Sequence, residues 1–106
     1  MEEIKLSKSI IGQDEIDAVV GVLKREYLGM GQEVQQLENT LSSFFERDVT
    51  CVNTGTAALH LALQAIGLKE GDEVLVQSLT YVSTFQAISA TGATPVACEV
   101  DPASLT

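Results

Sequence analysis

Two stretches in the first half of the chain repeat apolar residues at the spacing of an amphipathic helix. The pattern predicts one helix over residues 13–27 and another over 32–46, with a glycine-containing loop at 28–31 between them. The first helix begins with acidic residues and ends with Lys24 and Arg25, which matches the helix dipole. The residues expected to face inward are Ile16, Val19, Val20, Leu23 and Tyr27 on the first helix, and Val34, Leu37, Leu41, Phe44 and Phe45 on the second.

The second half of the chain alternates short β-prone runs with helix-forming segments. Predicted strands cover 49–52, 73–76 and 94–100, and predicted helices cover 57–66 and 82–91. The order strand-helix-strand-helix-strand predicts parallel neighbouring strands joined by helical crossovers. With the two leading helices, the sequence therefore predicts an α/β layered fold. The inward-facing residues of the last predicted helix are Val82, Phe85 and Ile88.

The turn Asn53–Thr56 connects the first predicted strand to the helix that follows it. A helix start leaves backbone N–H groups unpaired and is partly positive, so it attracts anions. Gly55 would let the backbone approach a ligand closely, and the hydroxyls of Thr54 and Thr56 could add donors. Such a turn suits a phosphate group. The alternative is an ordinary capped helix, in which the same residues satisfy only their own backbone.

A second loop, 77–81, follows the second predicted strand and contains Tyr81. Ligands of parallel α/β sheets bind outside the carboxyl ends of the strands, so this loop and Asn53–Thr56 are expected to converge if the two strands are neighbours. An anion seat beside a flat aromatic ring suits a phosphorylated planar ligand. Alternatively, Tyr81 packs against Phe85 at the start of its helix.

The helix predicted over 57–66 is apolar on nearly all sides, which is typical of a buried helix. His60 is expected at the edge of its packing, because no partner carboxylate lies nearby in the sequence to suggest a chemical role. Cys51 and Cys98 lie in predicted strands, and we expect both to be reduced, buried thiols.

Composition narrows the range of partners. The chain has 106 residues and a net charge of −9, which argues against nucleic acid and anionic membrane surfaces. We find no signal peptide and no apolar run of transmembrane length. With one histidine and no closely spaced cysteine pair, no metal site is expected. No linker interrupts the sequence, so it represents one domain or part of one.

Common nucleotide-binding motifs do not fit. The glycines at 29 and 31 follow a predicted helix instead of a strand, and no third glycine completes a dinucleotide fingerprint. The second predicted strand ends in Gln77 and Ser78, where such a fold would need an acidic residue for a ribose. The Gly-Lys-Ser/Thr signature of nucleoside-triphosphate loops is absent.

Several stretches together resemble the N-terminal part of the DegT/DnrJ/EryC1/StrS family of sugar aminotransferases. The similarity covers nearly the whole chain, and its order and spacing are more specific than any single piece. The stretches that carry it are Ile4–Ile11, Tyr27–Gly31, Val34–Glu38, Asn53–Leu59, Gly71–Val74, Thr80–Thr84, Gly92–Val96 and Glu99–Asp101.

The resemblance implies a fold-type-I large domain and a pyridoxal 5′-phosphate cofactor, with residues 1–106 forming the N-terminal part of that domain. It places the cofactor phosphate on Gly55, Thr56 and Ala57, and the ring-stacking role on Tyr81. The family more often has serine at the position of Asn53 or Thr54, and Phe or Trp at that of Tyr81.

The resemblance also implies a homodimeric, cytoplasmic enzyme that transfers an amino group, typically from glutamate, to a nucleotide-linked keto-sugar. The Schiff-base lysine of the family is expected beyond residue 106, so no catalytic residue is expected in this chain. Accordingly, the 106 residues alone are expected to be inactive and to expose apolar surface. Two alternatives stay open: a sugar dehydratase of the same family, or a non-catalytic binding domain on the same scaffold.

Overall fold

The computed structural model describes residues 7–105, which form four α-helices and two β-strands. The family resemblance begins at Ile4, Lys5 and Leu6, which lie outside the described residues. The chain divides into two compact units, one up to Val49 and one from Thr50 onward. The assignment of residues 1–106 to part of one domain stays a prediction.

The first unit contains α1 (Gln13–Lys24) and α2 (Gln32–Phe45). Both helices begin where the sequence predicts. The predicted extension of α1 to Tyr27 is wrong, because Glu26 adopts a left-handed conformation with φ of 55° and ends the helix. Glu46 ends α2 in the same way, with φ of 52°, and its N–H group donates to the carbonyl of Ser42.

The apolar faces of α1 and α2 are exposed, contrary to prediction. Val19 is 58% exposed and Phe44 is 78% exposed, and neither helix contains a fully buried residue. Val34 and Leu41 are half-buried. The periodicity identifies the apolar stripe correctly, but burial requires a covering surface that the described residues do not provide.

The second unit contains α3 (Gly55–Ala65), β1 (Glu73–Gln77), α4 (Ser83–Ser89) and β2 (Thr94–Cys98). The strands pair in parallel, in a register that runs from Glu73 opposite Thr94 to Gln77 opposite Cys98. Their small core is formed by Val76, Ile88 and Ala93, with Leu63, Leu68, Val74 and Phe85 packed against it. The parallel strands joined by α4 form the predicted strand-helix-strand unit.

The first predicted strand is not formed. Within residues 7–105 the sheet has two strands, and residues 49–52 belong to neither. The N–H group of Val49 donates to Ser42 Oγ at 3.0 Å, so the first residue of this segment is bonded to α2 and not to a strand. A β-prone sequence becomes a strand only where a neighbour completes its ladder. Cys51 therefore lies outside any strand, whereas Cys98 ends β2, and both are half-buried thiols instead of the buried ones expected.

Helix α3 is more exposed than its apolar sequence predicts. Leu61 is 51% exposed and Ile66 is 73% exposed, although Leu63 reaches the core. The helix ends in a Schellman motif: Gly67, at φ of 84°, donates to the carbonyl of Gln64 at 2.9 Å, and Leu68 donates to that of Leu63 at 3.2 Å.

Helix α4 is one residue shorter than predicted at its start and two residues shorter at its end. Ile88 is buried and Phe85 is half-buried, as expected for the inward face. Val82 is 55% exposed, so its predicted inward position is wrong. It precedes the first helical residue and therefore does not share the buried face of α4.

Candidate functional site

Helix α3 begins with a side-chain cap. Thr54 is extended, with φ of −149° and ψ of 154°, and its Oγ1 accepts a hydrogen bond from the N–H group of Ala57 at 3.0 Å. Its carbonyl accepts from the N–H group of Ala58 at 3.1 Å. Thr54 and Ala57 thus behave as the capped-helix interpretation predicts.

The first two N–H groups of α3, those of Gly55 and Thr56, differ from that of Ala57. Among the described residues, no acceptor within hydrogen-bond distance is found for the N–H groups of Gly55 and Thr56. They point out of a partly positive helix end. Gly55 is exposed, and Thr56 and Ala57 are half-buried. The helix start therefore retains donors for an external acceptor.

Gly55 has open space around it. A Cβ atom built at this position would meet no other heavy atom of residues 7–105 within 4 Å. Gly55 is also not among the glycines with positive φ. Neither backbone conformation nor internal packing requires a glycine here, so the space above the helix start is available to a ligand.

Tyr81 lies in a turn held by local hydrogen bonds. Its carbonyl accepts from the N–H group of Thr84 at 3.1 Å, and the hydroxyls of Thr80 and Thr84 are 3.3 Å apart. Before it, the side-chain amide of Gln77 donates to the carbonyl of Leu79 at 3.2 Å. These contacts order the backbone on both sides of the ring.

The Tyr81 ring itself is open. Tyr81 is 77% exposed. The sole aromatic ring pair within residues 7–105 joins Phe44 to Phe45. Tyr81 and Phe85 therefore do not form an aromatic ring pair. A planar ligand would have access to the ring.

The two predicted loops belong to the same unit. The expectation that they converge depended on a first strand that is not formed. Instead, α3, which begins at Gly55, packs against α4, which begins two residues after Tyr81. Tyr81 follows the carboxyl end of β1, the edge where parallel sheets bind ligands.

Other polar groups lie outside this pair of loops. His60 is half-buried, as expected, and its Nε2 atom is buried without a hydrogen-bond partner among the described residues. Within residues 7–105, no three His, Cys, Asp or Glu side chains are grouped closely enough to hold a metal ion. None of the helices in that range has the length and apolar character needed to cross a membrane.

A groove at the start of α2 has no counterpart among the sites predicted from the sequence. This groove, of about 400 Å³, lies in the first unit. It contains none of the predicted site residues, and its wall combines the interhelical loop with one face of α2, which a sequence pattern alone does not bring together. Its lining residues are Met30, Gly31, Gln32, Val34, Gln35 and Glu38.

Asp101 forms a tight turn after β2. Its Oδ1 atom accepts hydrogen bonds from the N–H groups of Ala103 at 2.6 Å and Ser104 at 3.0 Å. These two bonds lower the pKa of the Asp101 carboxyl below its ordinary value, and the bond from Ser104 contributes more than that from Ala103. The predicted extension of the last strand to Val100 is wrong, because β2 ends at Cys98. The turn that begins at Asp101 follows after two intervening residues.

A family model matches residues 9–106: the DegT/DnrJ/EryC1/StrS aminotransferase family. Among curated proteins, dTDP-4-dehydro-2,3,6-trideoxy-D-glucose 4-aminotransferase of Saccharopolyspora spinosa is 36% identical over 105 residues, covering 96% of this chain and 27% of the relative. Spore coat polysaccharide biosynthesis protein SpsC of Bacillus subtilis (strain 168) is 42% identical over 100 residues, covering 93% of this chain and 26% of the relative.

Solved structures give the same result. Spr1654 from Streptococcus pneumoniae, assigned as a sugar aminotransferase and solved in its PMP form, superimposes with a TM-score of 0.81 at 35% identity, covering 95% of this chain and 25% of that one. The aminotransferase TlmJ from Streptoalloteichus hindustanus gives a TM-score of 0.79 at 34% identity, covering 91% and 27%. The predicted fold class is thereby confirmed.

These likenesses cover a small part of each relative: the chain spans about a quarter of their length. Spr1654 has also been solved in its PLP form, and NtdA from Bacillus subtilis with bound PMP. Pyridoxal phosphate is therefore the cofactor of the family, as the sequence resemblance implied. On the match over residues 9–106, this chain belongs to the DegT/DnrJ/EryC1/StrS aminotransferase family.

Proposed function

We propose that this chain is the N-terminal portion of a pyridoxal-phosphate-dependent aminotransferase that transfers an amino group, with glutamate as donor, to a nucleotide-linked keto-sugar. The observation that carries the proposal is the open, capped start of α3, where N–H donors and empty space occur together. The Saccharopolyspora spinosa relative, named for a dTDP-linked dehydro-sugar, supports the substrate class.

The start of α3 is the phosphate-binding element in this proposal, with Gly55, Thr56 and Ala57 as its residues. The N–H groups of Gly55 and Thr56 point outward, and the helix end adds positive potential. The chain carries a net charge of −9, yet residues 49–68 contain no Asp or Glu. A phosphate dianion would therefore meet no like charge from this segment.

Tyr81 is the ring-binding residue. Its exposed side chain offers an aromatic face, and offset stacking on a pyridine ring adds contact area at little conformational cost. When bound, pyridoxal phosphate supplies the electron sink for chemistry at the amino group. The residues of this chain bind and orient the cofactor, by its phosphate at α3 and by its ring at Tyr81.

The test uses the full-length protein that contains this chain. It should bind pyridoxal phosphate, and it should convert glutamate to its keto acid when a nucleotide-linked keto-sugar is supplied. The same sugar without its nucleotide serves as the control acceptor. Loss of hydroxyl from the sugar without glutamate consumption would indicate a dehydratase and contradict the proposal. A protein that binds no pyridoxal phosphate would contradict it more fundamentally.

A further inference from the structure

The first N–H groups of α3 are not equivalent, and the Thr54 side chain causes the difference. Thr54 Oγ1 accepts from Ala57 at 3.0 Å, so this N–H group is already used within the helix. The N–H groups of Gly55 and Thr56 have no such partner among the described residues. Any ligand at the helix start therefore meets two open donors beside a third that the Thr54 side chain holds inward.

We propose that Thr54 is a positioning residue for the cofactor phosphate. Its cap fixes the first turn of α3, so that the N–H groups of Gly55 and Thr56 are aimed at the phosphate before it arrives. Ala57 contributes through that cap and not as a direct phosphate donor. This inference rests on the proposed function, because it presupposes that the phosphate binds at this helix.

The physical reason is preorganisation. The first turn of a helix frays unless its donors are satisfied, and Ser, Thr, Asp and Asn at the N-cap prevent this. A frayed turn must be ordered again when the ligand binds, and this cost weakens binding. Loss of the Thr54 hydroxyl should therefore weaken phosphate binding although no direct phosphate contact has been removed.

Three substitutions separate these effects. Thr54→Asn retains a side-chain acceptor and adds no charge. Thr54→Val keeps the shape of threonine but removes the acceptor. Thr54→Asp retains the cap and places a negative charge beside the proposed phosphate position. The pair Asn and Asp is matched in size, so a difference between them reports charge.

The experiment measures two quantities in the full-length protein. The dissociation constants of pyridoxal phosphate and of pyridoxal, which lacks the phosphate, are obtained by titrating the cofactor-free protein. The melting temperature is measured without cofactor, so that it reports only the cap. Thr40→Val is the matched control, because Thr40 is an exposed helix residue whose hydroxyl donates to the carbonyl of Gln36 at 2.8 Å, in the other unit.

Thr54→Val should raise the dissociation constant of pyridoxal phosphate about fivefold or more, which corresponds to the free energy of a typical helix cap. It should also lower the melting temperature. Thr54→Asp should keep the melting temperature near that of the wild type. It should raise the dissociation constant of pyridoxal phosphate by about tenfold or more, because the two negative charges repel each other. Thr54→Asn and Thr40→Val should bind it like wild type. The affinity for pyridoxal should change by less than about twofold in every variant, since it has no phosphate to lose.

The inference is overturned if Thr54→Val lowers the melting temperature but binds pyridoxal phosphate like wild type, because Thr54 would then be a cap alone. It is equally overturned if Thr54→Asp binds the cofactor normally. Failure of the proposed function gives a different result: the wild-type protein would bind pyridoxal phosphate no more tightly than pyridoxal, or not at all.

Discussion

Gly92 lies directly against the backbone of Glu70. A Cβ atom at position 92 would come within 3.3 Å of the Glu70 nitrogen, and Gly92 has a φ of 88°. The turn before β1 and the turn before β2 therefore approach each other so closely that a side chain at position 92 would be crowded against the Glu70 backbone. The neighbouring hydrogen bond from Thr94 N–H to the Asp72 carbonyl, at 2.9 Å, fixes the register of the two strands.

We expect Gly92→Ala to destabilise the protein by about 2–4 kcal/mol, from left-handed strain plus overpacking. Gly67→Ala is the matched control: φ is 84° there, but nothing lies within 4 Å, so only the strain of about 1–2 kcal/mol should appear. Urea unfolding of both variants measures the difference. Equal losses would mean that the contact with Glu70 contributes nothing.

A larger side chain at Gly55 should impair cofactor binding more than folding. The position is open in this chain, so Gly55→Val should leave the helical circular dichroism nearly unchanged. Its two added methyl groups would, however, occupy the proposed phosphate space. Titration with pyridoxal phosphate should show a loss of affinity. If affinity survives and only the melting temperature falls, the turn is a helix cap and not an anion site.

Tyr81→Ala should weaken retention of the cofactor by about 1 kcal/mol or more, from lost stacking and buried area. Tyr81→Phe is the control, because it keeps the aromatic face and removes only the hydroxyl. Since Tyr81 is 77% exposed, neither change should lower the stability of the cofactor-free protein appreciably. An unchanged dissociation constant and unchanged absorbance of bound cofactor in Tyr81→Ala would reject the stacking role.

The turn at Asp101 should weaken in acid. The N–H groups of Ser104 and Ala103 lower the pKa of the folded carboxyl below its ordinary value. The stabilisation is therefore complete above the ordinary aspartate pKa of about 3.9 and is lost as the pH falls through the lower, folded value. Asp101→Asn should reduce this dependence. The melting temperatures of wild type and variant should differ at neutral pH and converge as the pH falls below the folded pKa of Asp101.

Local signals make some helix boundaries predictable. The starts of α1 and α2 follow from charge and apolar spacing. The predicted end of the third helix at residue 66 lies next to Gly67, whose left-handed conformation completes the Schellman motif. The ends were less predictable, since Glu26 and Glu46 adopt positive φ without being glycine. Nothing in the type of residue indicates that conformation.

Properties that depend on distant neighbours were predicted less well. The segment 49–52 has strand-forming residues but no ladder partner in the described sheet. The periodicity locates the apolar faces of α1 and α2 correctly, but the prediction that they are covered is wrong. At the candidate site, the sequence left open whether the turn at Gly55 is a cap or an anion seat. Thr54 caps the helix, while two other N–H groups at its start find no acceptor in the part of the chain that the structure describes, so the two interpretations are compatible.

The last prediction is that the isolated 106-residue chain associates or binds a hydrophobic dye. The exposed apolar residues include Leu23 at 55%, Phe44 at 78% and Ile66 at 73%, which lie in both units. The two-stranded sheet also leaves strand edges unpaired within the described residues. The net charge of −9 favours solubility and opposes this tendency, so low salt should reduce association and high salt should promote it. Sedimentation at two salt concentrations and a dye-binding assay measure both effects. A monomer at both concentrations that melts cooperatively and binds no dye would contradict the prediction, and would mean that the chain is a complete domain.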